Sequence, residues 1–425
     1  MMLVVLLLLL FLSIQYYQKT TLVCASTLLF LPHFSSGLGE VKLQYLVFFF
    51  QIFLFYTKGV YKKEGNAYPK WIALLTLFTG FCYCISTWFG VQRSQMGVTV
   101  VNVVCYFWYP YVVWKLLRTR RDVLFYLKSL FCFFSIVGGY ALVELGLGHN
   151  VYSEFVNANG LASGILGGEE SSERFGLLRC NSILPYCSTM GMACGVIFMM
   201  VLYLRISHIC ISKRMENFLL CMMPFCVLLA GTRSQFVFTA ICVFPFLFYS
   251  SFFKSKISKT IFVVVFLAFI FGYEYIFMIV DSIVNSNKAN MGSSSDLREN
   301  QLNICLYYFE RNPLWGYGRN YIWDYVKMEN PLLLGAESVW FQIMVDYGVM
   351  GIITYLACCL STSFLLMKHS KILAFFPLAF LVGKTLSIVI GIELNFMFII
   401  SFVMLKIQVL LIENKDEKNR ISYHL

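Results

Sequence analysis

An all-α, polytopic membrane fold is what the sequence predicts, and three observations predict it. Hydrophobic residues make up 59% of the 425-residue chain and charged residues only 13%, with 42 Phe. A water-soluble domain of this size cannot hide so much apolar side chain. Apolar runs near or above the roughly 18–20 residues that cross a bilayer recur along the whole chain. Alternation of period two is weak, which argues against an outer-membrane barrel. No soluble-looking block is long enough to fold alone, so residues 1–425 read as a single membrane domain with about 12–13 spans.

Taken in order, the spans are expected at about 2–15, 20–35, 41–57, 71–90, 97–114, 122–143, 183–204, 217–232, 235–252, 260–281, 337–360, 372–391 and 394–412. The first resembles a signal sequence. It lacks a basic n-region and a small-residue cleavage site, so it reads as a short membrane helix. Lys58, Lys62, Lys63 and Lys70 follow the third span, and Lys115, Arg118, Arg120 and Arg121 the fifth. Arg205, Lys213 and Arg214 follow the seventh, Lys254, Lys256 and Lys259 the ninth, and Lys368 and Lys371 the eleventh. Every second connection is therefore basic and cytoplasmic. These clusters account for the net charge of +11, which otherwise would suggest a nucleic-acid partner; the partner they indicate is the lipid bilayer.

Most of the fifteen Cys lie inside apolar runs, where they act as small apolar side chains. No Cys-x-x-Cys or Cys/His metal spacing is present, so neither a metal nor a required disulfide is expected. Nothing resembles a phosphate-binding P-loop, and no cofactor is expected.

The remaining connections face outward, and two are long: about 144–182 and 282–336. Loops of that length are usually functional. Within the second, 296–309 reads as an amphipathic helix with Leu297, Leu302, Cys305 or Leu306 and Phe309 at helical spacing. Asp296 with Glu299 fits a capping pattern, Pro313 ends the helix, and such a helix would lie along the outer membrane surface.

The most unusual stretch is 310–351. A turn-rich segment, NPLWGYG, runs through a polar linker into a long apolar helix that opens on Glu337-Ser338. Gly316 and Gly318 read as a bend that folds the chain back over a substrate. Glu337 and Ser338 either cap the helix, where the dipole favours an acid, or place a carboxylate that takes a proton from an attacking hydroxyl. Several arginines break the charge rule by lying outward: Arg174 and Arg179 in RFGLLR, Arg233 in the tight turn GTRSQ, and Arg298 and Arg319 in the large loop. Arginine near a helix end can snorkel to head groups. A guanidinium held in a tight turn at the membrane boundary instead suits a bidentate grip on phosphate oxygens. Asp346 and Lys384 sit in apolar spans, where unpaired charge is expensive. They are expected to pair with each other or with backbone, or to form a proton or ion path. His149 reads as a polar loop residue.

These residues resemble a family. Arg298, a helix, NPLWGYG, a pair at a helix start and then Asp346-Tyr347-Gly348-Val349-Met350-Gly351 look like the O-antigen polymerase and ligase family, bacterial membrane enzymes acting on undecaprenyl-diphosphate-linked glycans. GTRSQ resembles that family's Arg-containing turn upstream of its large loop, and RFGLLRCNSILPYCSTMG its basic segment before a helix start. The resemblance covers roughly 174–351. Ligases of the family typically carry His-Asn where this chain has Glu337-Ser338, and that departure favours a Wzy-type polymerase. The resemblance implies polymerisation of lipid-linked repeat units on the outer face of the bacterial cytoplasmic membrane, with no nucleotide. It implies Glu337 and Arg233 as catalytic residues. Arg174, Arg179, Arg298, Arg319, Ser338, Gly316 and Gly318 would bind substrate, and a chain-length regulator is a possible partner. The alternatives are a ligase with a lipid A-core acceptor and, from a different class, a polysaccharide flippase. A transporter usually shows internal repeats, and none is visible.

Overall fold

The computed structural model describes residues 2–35, 42–62, 67–162, 166, 179–247, 295–333, 336, 338–386 and 394–413. The expected span at 260–281, together with Arg174 and Glu337, lies outside them, as do the side chains of Arg233 and Asp296. Among the described residues the architecture is helical, with only isolated β-bridges. Helices α1 (Met2–Gln15), α2 (Tyr17–Thr27), α3 (Leu43–Thr57) and α4 (Lys70–Phe89) lead to α5 (Arg93–Leu116) and α6 (Arg120–Leu147). The short α7 (Val151–Ala158) precedes α8 (Cys187–Ile206), α9 (Lys213–Leu229) and α10 (Arg233–Leu247). Beyond them come α11 (Ser295–Arg311), the short helical turns Ile322–Val326 and Lys327–Glu329, α12 (Val339–Met367), α13 (Phe375–Leu386) and α14 (Asn395–Ile407).

Six described helices are long and apolar enough to cross a membrane, and four shorter apolar ones accompany them. The chain is thus an all-α, multi-pass membrane bundle. The second span is shorter than its expected 20–35: α2 stops at Thr27, and Gln44 holds the following turn by donating to the Pro32 carbonyl and accepting the Phe34 N–H at 3.2 Å. In α5 the turn Val104–Trp108 is widened to a π-turn just before Pro110. Proline has no N–H and its ring crowds the carbonyl one turn back, so the helix opens there.

Among the described residues, the basic connections after the third, fifth and seventh spans lie at one end, linked through α14 by Lys406 over the Trp114 ring at 4.1 Å and by Tyr203 bonded to Gln408. Arg118 donates to the Val60 carbonyl at 2.9 Å, Gln18 to Asp122 at 2.8 Å, and Arg205 pairs with Glu216 at 2.6 Å. Helix α8 runs through the middle of the bundle and is buried nearly all round. Its Gly191-x-x-x-Gly195 face lets α10 come close: a Cβ would lie 2.8 Å from Gln235 at Gly191 and 2.3 Å from Thr239 at Gly195. Small residues at that spacing are how helices approach closely in lipid.

Helix α12 departs from expectation most. The span over 337–360 was expected as one apolar helix, but Gly348 breaks it with φ 63° and ψ −157°, a backbone region essentially closed to other residues. The part before the break folds back on the part after it. The Trp340 and Tyr355 ring centroids are 5.7 Å apart, although fifteen residues of straight helix would separate them by about 22 Å. Segment 339–347 is therefore re-entrant, with its tip at Gly348.

Candidate functional site

The tip is built from the stretch that stood out in the sequence. Breaking a helix strands carbonyls on one side of the break and N–H groups on the other. Loop 312–318 answers both sets. Tyr317 and Gly318 donate their N–H groups to the carbonyls of Val345 and Asp346 at 3.0 and 2.9 Å. Val349 and Met350 donate to the carbonyls of Pro313 and Leu314 at 2.8 and 3.2 Å. Backbones this close exclude side chains: a Cβ at Gly316 would lie 2.6 Å from the Asp346 carbonyl, and one at Gly348 2.6 Å from the Pro313 oxygen. Ser86 of α4 donates to the Asp346 carbonyl at 2.7 Å, and Val91 donates to that of Tyr317 at 2.9 Å, tying the tip to α4.

The Asp346 side chain is fully buried. Its carboxylate accepts the N–H groups of Asn320 and Ile322, each at 3.0 Å, and the Gln342 amide at 3.3 Å. It thus caps the first turn of the Ile322 helix, where the orphan N–H groups lie and the dipole favours negative charge. Of the expected pairings for Asp346, backbone is the one observed. Lys384, also buried, lies over the Phe380 ring at 5.6 Å. The described residues of the linker 319–336, which sequence reasoning left without a role, form a small folded cap. Ile322, Val326, Leu333 and Ala336 pack with Cys305 and Tyr308 of α11 and with Phe341 and Val345 of the re-entrant segment.

Helix α11 consequently faces inward with a stripe that keeps Cys305 from the expected set but has Gln301 and Tyr308 where Leu302 and Phe309 were expected. Gln301, Cys305 and Tyr308 are buried while Leu302 is exposed. Gln301 donates to the Leu333 carbonyl at 2.9 Å. The stripe was misread because a polar Gln and a Tyr supply two of its three inward positions. Burial, reinforced by the hydroxyl bonded to Glu329, pushes the Tyr308 phenol up to about 12.

A second group of elements meets where the re-entrant segment begins. Ser338 is buried and its hydroxyl accepts the Trp340 N–H at 3.4 Å as the N-cap of α12. The Trp340 indole donates to Thr385 at 2.8 Å, and Arg298 at the start of α11 donates to the Leu386 carbonyl at 3.2 Å. Both contacts fall on the last residues of α13. Gly383 of the same helix packs on Phe238 of α10, with its would-be Cβ 3.1 Å from that ring. The start of α10 packs on the start of α8 through Gln235 and Gly191. Arg179 lies across the turn between α9 and α10. Its Nε donates to the Ala230 carbonyl at 3.5 Å, its Cγ covers Gly231, and the Cys180 N–H reaches the Leu229 carbonyl at 3.0 Å.

The segment bearing Arg179 is itself fixed by a buried carboxylate. Glu144 near the end of α6 accepts the N–H groups of Asn181 at 3.2 Å and Ser182 at 2.7 Å. Asn181 further bonds Ser153 and the Leu184 carbonyl, and Asn150 bonds Asn181, so that part of the first long loop is held against α7. The sequence signal for this network was an acid, Glu144, inside an otherwise apolar run.

The sequence-derived candidates thus fall into two sets. Arg179, Arg298, Ser338 and the backbone start of α10 at Arg233 are linked through α8, α10 and α13. Arg319, Gly316 and Gly318 belong instead to the tip. Arg319 is buried and donates to the Gln95 side chain at 2.9 Å. Gly318, at φ 98°, passes 3.1 Å from the Thr87 Cα. Sequence reasoning did not anticipate the reversal at Gly348 or the capping role of Asp346. The paired glycines of NPLWGYG and DYGVMG, each placed for backbone approach, were the signal available.

In comparison with known proteins, residues 218–356 match the model of a family described as O-antigen ligase. The match spans α9, α10, α11, the cap, the tip and the re-entrant segment. No curated protein matches the chain.

Proposed function

We propose, on the match of residues 218–356 to the family described as O-antigen ligase, that the chain joins lipid-linked oligosaccharide repeat units into a surface polysaccharide. The donor is an undecaprenyl-diphosphate-linked glycan and the acceptor is a sugar hydroxyl at the free end of a second lipid-linked unit. The bond between the donor's anomeric carbon and its diphosphate breaks, and a bond from that carbon to the acceptor oxygen forms. The hydroxyl proton passes to the Glu337 carboxylate, and undecaprenyl diphosphate leaves. Arg233, Arg179, Arg174 and Arg298 neutralise the leaving diphosphate, where fixed positive charge lowers the barrier most. The reaction takes place at the outer face of the bacterial cytoplasmic membrane, and the greasy bundle holds the polyprenyl tail.

The observation that supports this reading is that the Arg179 segment, which covers the turn before Arg233, and the Arg298 and Trp340 contacts on the end of α13 are joined through the Gly383–Phe238 packing of α13 on α10. That end lies away from the basic connections that mark the cytoplasmic side. The starts of α8, α10 and α12 gather there as well, and helix N-termini favour phosphate.

The family's description favours a second reading, a ligase that passes the glycan to a lipid A-core acceptor. Glu337-Ser338 in place of the His-Asn of typical ligases supports the polymerase. Cells carrying Arg233→Ala or Glu337→Ala are expected to display single repeat units but lose long chains by about a hundredfold or more, the usual effect of removing one charge-stabilising group. Normal chain-length ladders in both variants refute the site. Long chains that accumulate on the lipid carrier without reaching the core support the ligase, and absence of any unit on the outer face points to a flippase.

A further inference from the structure

We propose that the outer edge of the large loop is a sugar-binding subsite, in which the exposed ring of Tyr325 stacks on one pyranose ring of the glycan and Glu329, one turn further on, accepts that ring's hydroxyls. This rests on the reading above that the substrate is a glycan.

The edge is a column of aromatic rings. Tyr317 and Tyr321 stack at 4.5 Å and 14°, and Tyr321 and Tyr325 at 5.0 Å and 19°. Tyr308 closes the inner end, edge-on to Tyr317 at 6.2 Å and to Tyr321 at 6.1 Å. Tyr321, Tyr325 and Glu329 fall four residues apart on the helical turns 321–329, so they share one face. Ile322 and Val326, on the opposite side, fill the small core of the cap. The core of the cap is therefore complete without Tyr325, which is 43% exposed and stacks one ring face on Tyr321 at the end of the column.

The chemistry fits a sugar. An aromatic face is negative, and the C–H bonds of a pyranose face are polarised positive, so a flat sugar ring settles on it. Sugar hydroxyls donate well to a carboxylate, and Glu329 is exposed beside the column while it also accepts the Tyr308 hydroxyl. Asn330 adds an amide donor near the same hydroxyl at 3.4 Å. Tyrosine brings a large contact with only two rotors to fix, and here the stack has already fixed them. Charges of both signs surround the edge: Glu310 and Arg311, with Arg311 over the Tyr307 ring at 3.9 Å, then Lys327 over Trp323 at 5.6 Å, and Glu329. A belt that anchors in head groups pairs aromatics with basic residues; the balanced charge here favours a polyhydroxylated ring instead. Tyr308 lies ten residues, or about 15 Å of helix, beyond Arg298 on α11. The subsite would thus read a sugar some way along the chain from the diphosphate.

The test uses the full chain in lipid nanodiscs and the delipidated oligosaccharide released by mild acid from the lipid-linked intermediates of the producing cells. Saturation-transfer NMR reports which sugar protons touch the protein. The wild type is expected to saturate ring protons of one residue, Tyr325→Ala to weaken binding about tenfold, and Tyr325→Phe and Tyr325→Trp to retain it, as loss and retention of one aromatic stacking contact require. Equal binding by Tyr325→Ala and wild type overturns the subsite. So does a Tyr325 dependence that follows the phosphatidylglycerol content of the disc and not the sugar. Chain-length ladders run in parallel separate the two readings. If Arg233→Ala abolishes long chains while Tyr325→Ala binds oligosaccharide normally, only the subsite falls; if cells carrying Arg233→Ala show no unit on the outer face at all, the proposed function falls.

Discussion

Gly348→Ala is the perturbation whose consequences the structure specifies most fully. The residue sits at φ 63° and ψ −157°, where a Cβ costs about 1–3 kcal/mol in backbone strain alone. The added methyl would also meet the Pro313 oxygen at 2.6 Å and the Leu314 carbonyl at 2.7 Å. Those atoms are backbone, so loop 312–318 must move. The two bonds they accept, from Val349 at 2.8 Å and Met350 at 3.2 Å, are then lost. At about 1 kcal/mol net for each, the local cost reaches roughly 3–5 kcal/mol. The helix has no good alternative, since straightening at 348 would pull Trp340 away from Tyr355 and Thr385. Hydrogen–deuterium exchange of the peptide covering 312–322 reads the outcome. A local cost of about 3 kcal/mol or more should speed exchange at Tyr317 and Gly318 at least a hundredfold. Gly139→Ala in α6 is the control. It has nothing within 4 Å of its would-be Cβ, and a helical glycine replaced by alanine gains slightly. Exchange at 312–322 that is unchanged in Gly348→Ala, or equally changed in Gly139→Ala, refutes the account of the tip.

Two further expectations follow from the same region. Asp346→Ala leaves the buried N–H groups of Asn320 and Ile322 without an acceptor, at roughly 1–3 kcal/mol each, so exchange across 319–330 should rise while the transmembrane helices stay protected; protection equal to wild type there would show that the carboxylate does not cap that turn. Tyr308, raised from its ordinary 10.0 to about 12, stabilises the cap fully below pH 10, and that contribution fades as pH climbs toward about 12, because the opened loop ionises first. The tyrosinate absorbance difference between wild type and Tyr308→Phe should therefore rise near pH 12, and a midpoint near 10 would place the phenol in water.

The sequence by itself determined the fold class, the alternation of basic connections and most helix positions. Each of these depends on a free energy that scales with local composition. A run of about twenty apolar residues has nowhere to go but the bilayer, and clustered Lys and Arg stay on the cytoplasmic side wherever the partners lie. The same local logic singled out 310–351 and its glycines. It could not say what those glycines do, because a close approach is a property of two segments at once. Gly316 requires the Asp346 carbonyl, and Gly348 requires that of Pro313, thirty-five residues upstream in the chain. Only the tertiary structure decided that α12 turns back on itself, that Asp346 caps a distant turn rather than pairing with Lys384, and that α11 faces inward through Gln301, Cys305 and Tyr308. It also decided which candidates meet. Arg179 and the turn before Arg233 lie more than fifty residues apart in the chain, and they are brought together by a carbonyl at Ala230, a bare face at Gly231 and a Gly191-x-x-x-Gly195 contact between helices. Contacts of that kind depend on shape complementarity across the bundle, which no single window of sequence contains.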